Sequence, residues 1–99
     1  MLYAIIASDA PHSSPARERA RSQHLQYLHA LRDEGRLLLA GAHPALDGED
    51  PGPAGFTGAL VVAEFDSLGA AREWAEAQPY AAEGVYASMQ IKPLCRSLP

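Results

Sequence analysis

Apolar and polar positions follow two rhythms along this chain, and each change of rhythm marks an element. Leu2 to Ala7 is a short, almost unbroken apolar run, as expected of a strand covered on both faces. Asp9 ends it. Ala10 to Pro15 holds two prolines and two serines and predicts a loop. Ser14 is placed to cap a helix, with Pro15 at the tolerated first helical position. The helix is predicted from about Ala16 to Glu34, with Gly35 as its stop signal. At about 100° per residue, Ala20, Tyr27, Leu28 and Leu31 share a face roughly 100° wide, the width of a core-facing stripe. His24 projects from the middle of that stripe. Arg17 and Arg21 lie toward its N-terminal end.

Arg36 to Ala40 is rich in leucine and ends at Gly41. The two flanking glycines leave too few residues for another helix, so this is the second predicted strand. Ala42 to Thr57 contains three prolines and three glycines. It predicts an exposed loop, long for a compact domain. Gly58 to Phe65, with Val61 and Val62 at its centre, predicts the third strand, antiparallel to the second. Asp66 and Ser67 offer a cap to a second helix, Leu68 to Ala77, whose apolar face is Leu68, Ala71, Trp74 and Ala75. Pro79 interrupts it, and Tyr80 to Glu83 can add one turn before Gly84. From Val85 to Pro93 the apolar residues Val85, Ala87, Met89 and Ile91 alternate with Tyr86, Ser88, Gln90 and Lys92, a period-2 strand. The order β-α-β-β-α-β predicts a single ferredoxin-like α+β domain over residues 1–99, a four-stranded antiparallel sheet with both helices on one face.

Size and charge narrow the picture. A 99-residue chain buries only a little over ~60% of its unfolded surface. Its bare sheet face then needs cover, which favours a homodimer. A net charge of -4 argues against a nucleic-acid partner, which calls for a basic stripe. No polybasic patch or run of about 20 apolar residues points to a membrane. The N-terminal apolar run lacks a basic flank, so it does not read as a secretion signal, and the cytoplasm is the expected compartment. The single cysteine, Cys95, has no second thiol for an internal disulfide or a cysteine-based zinc site.

The candidate chemistry centres on His24. An imidazole in an apolar stripe is either a core residue satisfied by backbone or water, or a neutral base in a sheltered cavity. A base needs no metal for proton abstraction. Arg21, one turn earlier, is placed to hold a substrate carboxylate. Developing enolate charge can be met by Arg21, Tyr80 or a backbone amide near Gly41. These residues suit elimination or isomerisation of a small anionic molecule. No metal is expected: His24 and His29 point roughly 140° apart on the helix. The glycines from Gly48 to Gly58 open no helix and carry no phosphate-binding pattern, so no nucleotide or other cofactor is expected.

Six segments, taken in order, carry a resemblance: MLYAIIASD, RSQHL around His24, DEGRLLLAG, DPGPAGFTG, AEFDSLGAA, and PYAAEGVY followed by IKP. Together they resemble the YCII-related family of small bacterial proteins over nearly the whole chain. The resemblance implies a dimeric α+β barrel, in which two protomers press their sheets together around a cavity. It also implies a site built on a histidine and an aspartate. Some relatives look like cofactor-free enzymes that dehydrochlorinate small unsaturated ring-cleavage products. The family histidine matches His24, between Arg21 and Leu25. Many members carry Asp-Pro-aromatic after the second helix, where this chain has Gln78, Pro79 and Tyr80. A glutamine can orient an imidazole but holds no charge against it. Asp9 matches another acid common in the family and is placed to partner His24 from the end of the first strand; Asp47 matches too but reads as a turn residue. The expected site is therefore His24 and Asp9 as catalytic groups, with Arg21, Gly41, Gln78 and Tyr80 around the substrate. The rival reading is a binding or accessory module that uses the same cavity without chemistry.

Overall fold

A computed structural model describes residues 1–99. The elements are β1 (Leu2–Asp9), α1 (Ser14–Asp33), β2 (Leu37–Pro44), β3 (Phe56–Glu64), α2 (Leu68–Ala77), α3 (Pro79–Ala82) and β4 (Tyr86–Leu94). The sheet is antiparallel throughout, in the order β2-β3-β1-β4. This is the βαββαβ arrangement that the hydropathy pattern predicts. The two nearly continuous apolar runs, β1 and β3, take the inner positions, where both edges are paired. No helix is long and apolar enough to cross a membrane.

Strand alternation sorts the core. Tyr3, Ile5, Val61 and Ala63 face the helices and pack against Leu28 and Leu31 of α1 and Ala71 and Ala75 of α2. Ala4, Ile6 and Leu60 point to the opposite face, which no element of the chain covers, and remain half-buried. Ser67 caps α2, its side chain accepting from the Ala70 N–H at 3.0 Å.

Several boundaries differ from the pattern. Ser14 is the first residue of α1 rather than its cap; Ser13 takes the cap position and makes no side-chain bond there. β2 does not end at Gly41 but continues to Pro44, and β3 begins at Phe56. The predicted loop shrinks to 45–55, with one 3-10 turn at Gly52–Ala54. The reason is tertiary: Ala42 pairs with Ala59 and His43 with Gly58, and ladder bonds outweigh the poor strand propensity of glycine. Gly58 is required at its place, because a methyl group there would collide with the carbonyl oxygen of Ala7. In β4 the register slips between Ser8 and Asp9, so that Asp9 faces Tyr86 while Ser8 faces Ser88. This bulge interrupts the expected alternation at Ala87. It turns Tyr86 toward the helices on the side where Met89 and Ile91 also pack.

Candidate active site

The N-terminal half of α1 crosses β2 and β3 and leaves a cavity of about 300 Å³ beneath it. The sheet positions under the helix are small, namely Ala40, Ala42 and Ala59, with Gly41 between them. Larger side chains at these positions would fill the space. The walls are Arg17, Arg21 and His24 of α1, Phe56 at the start of β3, and Tyr80 of α3. The cavity therefore lies within a single chain, on the helix side of the sheet.

His24 is 6% exposed. Its ring stacks on Tyr80, with centroids 3.7 Å apart and planes 7° from parallel. Tyr86 stands at right angles to both rings, 6.5 Å from His24 and 5.8 Å from Tyr80. His24 Nδ1 is enclosed and has no partner in the chain, as is the Tyr86 hydroxyl. Such enclosed, unpaired polar atoms are rare in folded proteins and mark sites of strain or function. Burial, reinforced by the positive charge of Arg17, lowers the His24 pKa from 6.5 to about 4. The imidazole is thus neutral through the neutral pH range. Burial raises the Tyr80 pKa, with Arg17 and Arg21 pulling the other way. Burial also raises that of Tyr86 far above the usual phenol range. Both phenols remain protonated donors.

Asp9 does not reach His24 by a hydrogen bond. Its carboxylate accepts from Arg17 instead, from Nε at 3.2 Å and from Nη2 at 3.0 and 2.9 Å. The bulge that pairs Asp9 with Tyr86 sets the carboxylate beside the first turn of α1. There the guanidinium wins it by a bidentate charged contact through its Nε and Nη2 edge. The Arg17 Cζ also lies 4.8 Å from the centre of the Tyr80 ring and 5.3 Å from that of Phe56. Gln78 is 1% exposed and does not line the cavity. It precedes α3, and its side chain turns inward, with Nε2 3.9 Å from Met89 Sδ and Oε1 unpaired. The chain thus brings His24, Arg21, Gly41 and Tyr80 to one cavity. It sets Asp9 behind Arg17 and buries Gln78 elsewhere.

Beyond the expected site residues, Arg17 and Phe56 wall the cavity and Tyr86 stands against His24. A signal existed for Arg17, which shares the helical face of His24 and follows an acid across a short strand-to-helix loop. Phe56 falls in the Pro- and Gly-rich stretch that predicts a loop. Tyr86 had no local signal, because only the bulge puts it beside His24.

A ferredoxin-like α+β domain with a histidine-walled cavity between its long helix and its sheet is the class that fold and site define. The chain belongs to the YCII-related family: residues 1–95 match the YCII-related domain. It is 55% identical over 93 residues to Protein YciI of Escherichia coli O6:H1, covering 94% of this chain and 95% of that protein. It is 48% identical over 93 residues to an uncharacterized protein of Haemophilus influenzae, with the same coverage. Among solved structures it is similar to the 5-chloro-2-hydroxyhydroquinone dehydrochlorinase TftG of Burkholderia phenoliruptrix, in complex with 2,5-dihydroxybenzoquinone. The TM-score is 0.84 at 24% identity, over 98% of this chain and 96% of that one. At that identity the likeness establishes the shared fold.

Proposed function

We propose that this protein is a small-molecule enzyme of the lyase or isomerase type, with His24 as its general base. One observation carries the reading: a neutral, enclosed imidazole stacked on Tyr80 lines a cavity, and no structural hydrogen bond uses its nitrogens. A core histidine kept for stability alone would have its ring nitrogens satisfied. With Nδ1 enclosed, Nε2 is the nitrogen available to a ligand. It takes a proton from a carbon or hydroxyl of the ligand, and the electron pair moves into a conjugated C=C or C=O. In an elimination, chloride leaves with its bonding pair. In an isomerisation, the proton returns at a neighbouring carbon. The phenol of Tyr80 and the two arginines are donors for the oxygen that gains charge. The fold shared with a dehydrochlorinase supports the elimination variant. Negative charge brought beside His24 by an anionic ligand raises its affinity for the proton. The functional unit in this reading is a homodimer closed over the bare sheet face of Ala4, Ile6 and Leu60.

A second reading, ligand binding without chemistry, is favoured by the absence of any carboxylate hydrogen-bonded to His24. The two are separated with hydroxylated and chlorinated six-membered-ring compounds, followed by ultraviolet absorbance, chloride release and solvent deuterium incorporation. The enzyme reading expects turnover that His24→Gln abolishes while the thermal midpoint stays near that of the parent. Tight binding with no turnover and no exchange on any member of the panel would sink it.

A further inference from the structure

The contact between Asp9 and Arg17 occupies only part of the guanidinium. Nε and Nη2 face the carboxylate, while Nη1 meets no second carboxylate and the guanidinium lies against the Tyr80 phenol, toward the cavity. Resting on the small-molecule reading above, we propose that Arg17 Nη1 binds an oxyanion of the ligand (a carboxylate, phenolate or enolate oxygen) and that Asp9 is the residue that positions it.

Arg17 differs from Arg21 in being built into the wall. Its side chain is 14% exposed, and that of Asp9 is 6%. The carboxylate holds one edge of the guanidinium, and the rings of Tyr80 and Phe56 lie against it. Arg21 is exposed and forms no ion pair. A guanidinium already ordered and largely stripped of water gives up little further freedom on meeting an anion. A solvated rim arginine gives up much more. Arg17 also bridges the cavity chemistry to the acid behind it: the order in space is Asp9, Arg17, Tyr80, His24. Arg17 and His24 line the same cavity, which suits a flat molecule whose oxyanion on Nη1 is conjugated to the position that loses a proton. The cavity, about 300 Å³, is at the small end of ligand pockets and favours a single substituted ring. Asp9 neutralises Arg17 in the unliganded chain and touches no ligand.

The test is calorimetric titration with two probes, 2,5-dihydroxybenzoquinone as its ring oxyanion and sodium benzoate. Arg17→Gln leaves the enclosed Asp9 carboxylate unpaired, so Arg17→Lys and the double variant Asp9→Asn with Arg17→Gln are measured beside it. Arg17→Lys keeps a cation against Asp9 but removes Nη1. We expect it to weaken at least one probe roughly tenfold or more, the size of a lost charged hydrogen bond. The double variant should do the same. Asp9→Asn alone should also weaken binding, and in the Arg17→Gln background it should add no further loss. Additive losses would mean that Asp9 acts by itself and would overturn its positioning role. Arg21→Gln should change affinity by less than about threefold, within the range of an exposed charge. Parent-like binding in both Arg17→Lys and the double variant, a loss confined to Arg21→Gln, or no binding of either probe to the parent chain would each overturn the assignment. His24→Gln separates this from the catalytic reading. Absent turnover with Arg17-dependent binding removes the base and leaves the oxyanion site standing.

Discussion

Lowering the pH should destabilise this protein through one residue, and the size of the effect follows from the structure. His24 binds its proton with a pKa of about 4 when folded and 6.5 when the chain is unfolded. The folded state therefore resists protonation. Above pH 6.5 the residue costs nothing. As the pH falls from 6.5 towards 4, the unfolded chain takes up a proton that the folded chain refuses, and stability is lost across that window. At about 1.4 kcal/mol for each tenfold in proton affinity, the full loss is roughly 3 kcal/mol. A domain of this size has on the order of 5–15 kcal/mol in hand, so the loss is easily measured. The assay is urea unfolding across this pH window with parent and His24→Gln in parallel. The glutamine cannot charge, and every other titrating group is common to both chains. The gap between the two stability curves should therefore shift by roughly 3 kcal/mol in favour of the variant as the pH falls. Parallel curves would refute the argument that burial and Arg17 hold the imidazole neutral.

Other consequences are equally direct. Binding of an anionic ring compound should raise the His24 pKa, so at pH values from about 4 upward binding should be accompanied by proton uptake, seen as a buffer-dependent binding enthalpy that fades at neutral pH; His24→Gln should abolish it. Tyr80→Leu should remove the stack on His24 and cost roughly 2–4 kcal/mol in a denaturant titration, whereas Tyr80→Phe, which keeps the ring, should cost far less. Gly58→Ala should destabilise by at least about 1–3 kcal/mol, because the new methyl meets the Ala7 backbone rather than a side chain that can turn away. Gln78→Asp, which restores the acid common in the family, should lower stability by several kcal/mol rather than create activity. The carboxylate would be enclosed where the glutamine side chain meets only Met89 Sδ and leaves its oxygen unpaired, its folded pKa would be raised, and the loss would grow as the pH rises toward that value. A thermal melt at acidic and neutral pH checks it.

Glutamine at position 78 bears on how the family pattern transfers. Read along the chain, Gln78 looks like a weakened active-site acid. In three dimensions it is a buried residue ahead of α3, near Met89, and outside the cavity. The change from acid to amide therefore alters the core beneath Tyr80 more directly than it alters the ligand environment. Asp9 shows the converse. It is an acid near the site, as its position at the end of β1 suggests, yet it acts through an arginine.

What was legible along the chain was everything carried by short-range periodicity. The apolar runs of β1 and β3, the 3.6-residue stripe that holds His24, the Ser67 cap and the stop at Gly35 are local, and their order defines the topology. The placement of His24, Arg21, Tyr80 and Gly41 on one cavity followed from that topology with the helix face known. Three features were decided only by packing. β2 runs past Gly41 because its neighbour offers ladder bonds to an otherwise poor strand. Tyr86 faces the histidine because a bulge shifts its register by one residue and so reverses its face. Asp9 belongs to Arg17 because the same bulge and the first turn of α1 bring a fork of N–H donors closer to the carboxylate than the imidazole. Each depends on contacts between residues far apart in the chain, and hydropathy period and residue spacing carry no information about those distances.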